Sequence, residues 1–138
     1  MISWKPHATT RAVAKIAVLS AASNEYDHAS GPKLLEIALT EVFSGDLDGE
    51  SRVRALQLKR DDTSAFLISL QRFRGRLHGH QGTFVLQGSE AVEDGRIEAR
   101  WFVVPGSGTG ELAGLRGEGG FAGGVGKGSE GTLDYWFE

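Results

Sequence analysis

The stretch Ser64-Ala65-Phe66-Leu67-Ile68-Ser69-Leu70-Gln71-Arg72-Phe73-Arg74-Gly75-Arg76-Leu77 decides how this chain folds. It reads as one long strand, closed into a hairpin by His78-Gly79-His80. At ~3.3 Å per residue such a strand is very long for a flat open sheet, but it can coil around a closed one. Closure also removes the unpaired edges that would otherwise template aggregation. Along the strand Phe66, Ile68 and Leu70 share one parity with Arg72, Arg74 and Arg76, so one face is apolar at one end and cationic at the other.

Similar signals repeat on both sides of it. In residues 33–43 the odd positions Leu35, Ile37, Leu39 and Phe43 form an apolar face broken by Glu41, with Glu36 and Thr40 among their even neighbours. That is period two, the mark of a strand. Ser44-Gly45-Asp46 and Asp48-Gly49 are turn signals, because Gly and Asp tolerate the backbone angles a reversal needs. Residues 51–60, 83–87, 96–104, 116–122 and 132–137 read as further strands. Pro105 ends the 96–104 segment, having no N–H to give a sheet interior. Residues 10–20 fit a strand or a short helix, and 111–115 about one helical turn. About eight strands at close spacing predict an all-β chain: a single antiparallel eight-stranded barrel, with a sandwich as the alternative.

The chain's 138 residues suit one domain, 1–138. Fifteen Lys+Arg against eighteen Asp+Glu give a net charge of −3, which argues against a strongly basic nucleic-acid binder. With no cysteine there is no disulfide framework, thiolate metal site or cysteine nucleophile. The apolar run 12–22 mimics part of a secretory signal, but Lys15 interrupts it, and no window reaches the ~18–20 apolar residues of a membrane span. The expectation is a cytoplasmic protein with no nucleic-acid or membrane partner.

Twelve of the twenty glycines lie between Gly106 and Gly131. A phosphate-binding loop would need Gly-Lys-Ser/Thr opening a helix, and Lys127-Gly128-Ser129 has the wrong order. Gly108-Thr109-Gly110 has no βαβ unit around it. Tight turns, bulges and close backbone approach at barrel corners explain the glycines better.

The segment 101–121, with its Val104-Pro105-Gly106-Ser107-Gly108-Thr109-Gly110-Glu111-Leu112 core, is distinctive. Together with Gly31-Pro32-Lys33-Leu34, Phe43-Ser44-Gly45-Asp46, Gly82-Thr83-Phe84-Val85-Leu86-Gln87 and Thr132-Leu133-Asp134-Tyr135, it resembles a bacterial family of unknown function, DUF 3224. The resemblance covers the chain from Gly31 onward, with residues 1–30 a divergent N-terminal strand and loop. It implies a barrel like that of allene oxide cyclase and the dirigent proteins. It also marks two departures, Gln71 and Gly88, where members often carry Glu and His. Acid–base chemistry resting on either position would be missing here.

Four residues stand out as ligand-binding candidates: Arg72, Trp101, Glu118 and Tyr135. The arginine row, if it faces inward, makes an oily pocket with a basic mouth suited to an amphipathic carboxylate or phosphate. If it faces outward, it is a solvated basic edge. The outward reading is preferred for the row, with Arg72 the member best placed to turn in. A carboxylate inside the barrel, such as Glu98 or Glu118, would have a raised pKa and could move protons, but structural ion pairing is the preferred reading of these residues. Trp101 and Tyr135 are core aromatics that could turn a polar edge to a ligand. His78 and His80 read as exposed turn residues rather than metal ligands, since zinc wants a third protein ligand. No metal or cofactor is expected, and which residues would be catalytic, if any, is left open by the sequence.

Three functions therefore compete: a barrel that binds a small amphipathic or anionic molecule at its mouth, a filled oligomerising barrel, and an isomerase or cyclase using the cavity. Apolar residues on both faces of several strands (Phe102 and Val104 opposite Trp101 and Val103, Trp136 opposite Tyr135) predict a homo-oligomer, most simply a dimer.

Overall fold

A computed structural model describes residues 8–124 and 128–138. The chain forms β1 (Thr10–Asp27), β2 (Lys33–Gly45), β3 (Leu47–Lys59), β4 (Ser64–Leu77), β5 (His80–Glu93), β6 (Arg96–Val103), β7 (Leu115–Gly124) and β8 (Ser129–Phe137). The strands follow one another antiparallel around a closed barrel. β1 closes it, running from Thr10 opposite Tyr135 to Ile16 opposite Ser129 on β8. Its other edge pairs with β2 as far as Asp27 opposite Leu34.

The segment that fitted a strand or a helix is thus a strand, held on both sides. It runs on to Asp27, so most of the segment 1–30 that the sequence reading called a divergent strand and loop is one strand. The strands at 51–60 and 83–87 are longer than their apolar patterns suggested. Asp48-Gly49, expected to turn, lies inside β3 instead. The reversal is made one step earlier, by Gly45 at φ 124° and the Asp46 amide donating to the Val13 carbonyl.

Closure requires close backbone approach. Gly49 sits directly opposite Gly75 across β3 and β4. A Cβ on Gly75 would collide with the Asp48 carbonyl oxygen, and one on Gly49 with that of Arg74. Here the absence of a side chain is a geometric requirement.

Period two puts alternate residues inside. Ala12, Ala14, Phe43, Leu47, Phe73, Leu77, Phe84, Leu86, Trp101, Val103, Leu115, Leu133 and Tyr135 form the core. Each fully buried phenylalanine contributes about 2–3 kcal/mol of burial. Phe43 meets Phe73 edge-on at 5.4 Å, and Phe73 lies 5.0 Å from Phe84. The anticipated helical turn is the three-residue 3-10 turn Gly110–Leu112, whose Leu112 is wholly buried in that core. These side chains seal one end of the barrel. The other end, around the β3–β4 turn, is open.

Candidate functional site

The open end holds a cavity of about 470 Å³. Its wall is largely apolar: Val18, Leu35 and Leu39 from β1 and β2, Val53 and Ala55 from β3, Leu67 from β4, Val92, Ile97 and Phe121 from β5, β6 and β7. Into this wall project Glu41, Ser69, Gln71 and Glu90, while Lys59, Asp61 and Asp62 stand around the mouth. Inward placement follows from parity. Glu41 alternates with Leu39 and Phe43 on β2, as Glu90 does with Leu86 and Val92 on β5.

The polar side chains are organised in pairs. Ser69 Oγ donates to Glu90 Oε1 at 2.5 Å. Beside it, Ser51 Oγ donates to Gln71 Oε1 at 2.7 Å. Glu41 is 8% exposed. Burial pushes its pKa up from 4.5 to about 7, the charge of Glu90 adds to the rise, and a hydrogen bond from Ser51 opposes it. Glu90 is raised for the same leading reason, burial, against the hydrogen bond from Ser69. Its Oε2 is shut off from solvent and has no hydrogen-bond partner among the described residues. Two carboxyl groups in one apolar chamber cannot both ionise cheaply, so near pH 7 Glu41 is only partly ionised and the chamber shares a proton.

At the mouth, Asp61 caps the β3–β4 turn by accepting from the Thr63 and Ser64 amides, both at 2.9 Å. These bonds hold its pKa below the usual carboxylate range.

The four residues singled out from sequence do not converge on this chamber. Arg72 is exposed on the outer surface, cross-strand from Arg52 and Val85, in the same row as Arg74 and Arg76. The row therefore takes the outward reading, and Arg72 does not turn in. The reason is parity: Gln71 and Phe73 are buried, and the side-chain period of two leaves no exception for one residue between them. Glu118 is also outside. It borders an outer depression of about 1020 Å³, lined also by Trp101, Leu56, Ile68, Leu70, Phe102 and Arg100, so two of the four candidates meet there. That depression is larger than the barrel chamber, but it lies over an open sheet face rather than within walls.

Trp101 is inside. It donates from Nε1 to the Thr132 carbonyl at 3.0 Å and lies 5.3 Å from Phe121, so it supports the chamber wall from behind. Gly131 makes room for its ring, at 3.1 Å from where a Cβ would stand. Tyr135 is buried at the sealed end, with its hydroxyl 2.5 Å from His78 Nδ1. Burial raises its pKa, with the Asp46 charge adding to the effect. His78 is an exposed turn residue, as read from the sequence, that also makes this contact with Tyr135, and its Nε2 lies 3.5 Å from Asp46. His80 turns to other partners, Glu111 at 3.9 Å and the Phe137 ring. Among the described residues no group of three or more His, Cys, Asp or Glu is placed to hold a metal.

Sequence reasoning missed Glu41 and Glu90. For Glu41 the signal was present, as the single charge interrupting an otherwise apolar parity. For Glu90 it required carrying the alternation Phe84, Leu86, Gly88 beyond residue 87. Of the two departures noted from the family pattern, Gln71 lines the chamber, while Gly88 borders the outer depression and adjoins the chamber's Ser69–Glu90 pair, whose Oγ and Oε1 a Cβ there would meet.

The family model described as "Protein of unknown function (DUF3224)" matches residues 12–138, and the chain belongs to that family. The match takes in most of the segment 1–30 that had looked divergent. A solved structure of a DUF3224 protein of unknown function from Shewanella oneidensis MR-1 is similar, with 30% sequence identity and a TM-score of 0.79. The alignment covers 95% of this chain and 99% of that one. A comparison with curated proteins finds no match. Among the described residues no helix is long and apolar enough to cross a membrane.

Proposed function

We propose that this DUF3224 barrel binds a small, largely apolar molecule in the chamber at its open end. One observation carries the reading: a walled cavity of about 470 Å³ with polar side chains gathered on an apolar surface. Ligand sites commonly run from about 300 to 1,000 Å³ and combine apolar walls with a few convergent polar groups. A barrel serving only as a filled scaffold would close this space with side chains, as the opposite end does. The anionic ligand suggested by the arginine row loses its support, because the row is outside and the chamber carries carboxyl groups. An isomerase or cyclase role remains part of the proposal only through the shared proton, which general acid–base chemistry could use. Kinship with the allene oxide cyclase and dirigent barrels is likewise an inference, supported by the closed eight-stranded topology and the short 3-10 turn between β6 and β7.

Native mass spectrometry of freshly purified protein tests the reading. Binding predicts an added mass released on denaturation, or chemical-shift changes at Leu39, Val53 and Phe121 on titration with small apolar fragments. An empty protein that responds to no fragment would overturn it.

A second reading, self-association, has its own observation. Leu56, Phe66, Ile68, Leu70 and Phe102 form an outer apolar face, each more than 40% exposed. A second copy suits this face, since a two-fold axis through it lays apolar block on apolar block while the arginine ends of β4 stay in water. Light scattering during size exclusion distinguishes dimer from monomer.

A further inference from the structure

We infer that the chamber selects a ligand carrying a cationic nitrogen, an apolar ammonium compound, with Glu41 and Glu90 as its counter-charge. This rests on the binding reading above and specifies the ligand's class. The argument is one of charge and hydrogen-bond satisfaction. Two carboxyl groups reach the same apolar space, from β2 and β5. The charged groups at the chamber are, among the described residues, these two, Lys59 on β3, and Asp61 and Asp62 in the β3–β4 turn. β1, β4, β6, β7 and β8 contribute Val18, Ser23, Ser64, Leu67, Ile97, Phe121 and Ser129, none of which titrates as an acid or a cation. Lys59 is exposed at the rim. Acidic groups therefore outnumber basic ones by four to one at this site, against a chain whose total charge is only −3.

Glu90 makes the need specific. Its Oε1 accepts from Ser69, whereas Oε2 is buried without a donor. A buried acceptor left unmet is costly, and since Oε2 has no exposed surface in the empty chamber, the Glu90 carboxyl must turn toward the chamber for an incoming N–H to relieve it. An ammonium supplies both the donor and the opposite charge, and charge-assisted hydrogen bonds are the stronger kind. An alcohol supplies a donor without the charge. A carboxylate supplies neither and adds repulsion.

The pH dependence follows. In the empty chamber near pH 7 the pair shares a proton, and a bound cation favours its loss. Affinity for an ammonium compound should then rise as pH climbs through about 7, where Glu41 titrates, while affinity for a neutral alcohol should not. The amine itself stays protonated across that range, as lysine side chains do.

The test uses three probes of equal length on the full chain, n-hexylammonium, n-hexanol and hexanoate, followed by calorimetry or heteronuclear NMR. The expected result is hexylammonium binding about tenfold or more tightly than hexanol, with hexanoate weakest, and strengthening severalfold from about pH 6 to about pH 8. Glu90→Gln should remove most of the ammonium preference while leaving hexanol affinity within about twofold. Should that variant fail to fold, the pH series on the unaltered protein decides. Hexanol binding as tightly as hexylammonium, or an ammonium affinity indifferent to pH, overturns the cationic class and leaves the chamber as a binding site. Failure of all three probes to bind overturns both readings.

Discussion

Replacing Glu41 by glutamine keeps its shape and removes its titration, so it isolates what the buried carboxyl does to stability. In the unfolded chain this group ionises near 4.5, whereas in the barrel it holds its proton to about 7. At low pH it is neutral in both states and contributes no pH dependence. Between these values the unfolded chain releases its proton first, so stability falls as pH rises and levels off above the folded value. The gap of about 2.5 pH units, at about 1.4 kcal/mol each, makes the loss about 3 kcal/mol. With only 8% of the residue exposed, solvent screening takes little from that figure. Urea denaturation of both proteins at about pH 5 and about pH 8 measures it. The stability of Glu41→Gln relative to the original protein should improve by about 2–3 kcal/mol between the two conditions. Any fixed cost from disturbing Ser51 cancels in that comparison. A relative stability that stays constant with pH would refute the assignment of a buried, proton-retaining carboxyl.

Three further outcomes test other parts of the structure. Trp101→Phe should destabilise by about 2 kcal/mol, read from thermal or urea unfolding, through lost ring contact and loss of the Nε1 hydrogen bond to the Thr132 carbonyl; a neutral effect would mean the indole is not packed as described. Gly75→Ala should cost about 2 kcal/mol or more, because its Cβ must displace the β3 backbone at a φ of 155°, and unchanged stability would count against the Gly49–Gly75 approach. If the proposed self-association uses the outer apolar face, the unaltered protein should sediment as a dimer and Ile68→Glu as a monomer, with a stability change of about 0.5 kcal/mol or less since Ile68 is 60% exposed; a monomeric unaltered protein, or a dimer that survives the change, would refute that face.

Much of the barrel was legible in the chain because a strand's side-chain period is two, and the pattern survives in sequence wherever one face is buried. Leu35, Ile37, Leu39 and Phe43 announced β2, and Ile97, Ala99, Trp101 and Val103 announced β6. Strand ends were less legible. β3 and β5 extend past their apolar cores because neighbouring strands pair with them, and hydrogen bonding across a sheet leaves no mark on residue type. Asp48-Gly49 misled for a related reason: glycine serves a turn and a tight strand crossing equally well.

The family likeness came from the resemblance of the 101–121 segment and its companions, while composition and alternation were enough to establish an all-β chain and two faces on every strand. They could not say which face is the inside, because β4 offers Phe66, Ile68 and Leu70 on one parity and Leu67, Phe73 and Leu77 on the other. Closure of the barrel made that choice. It sent the arginine row to water and carried Glu41 and Glu90, 49 positions apart in the chain, into one apolar chamber. Burial of distant carboxyl groups in one chamber is a property of strand register and curvature; that burial raises both pKa values, and the charge of Glu90 adds to the rise at Glu41.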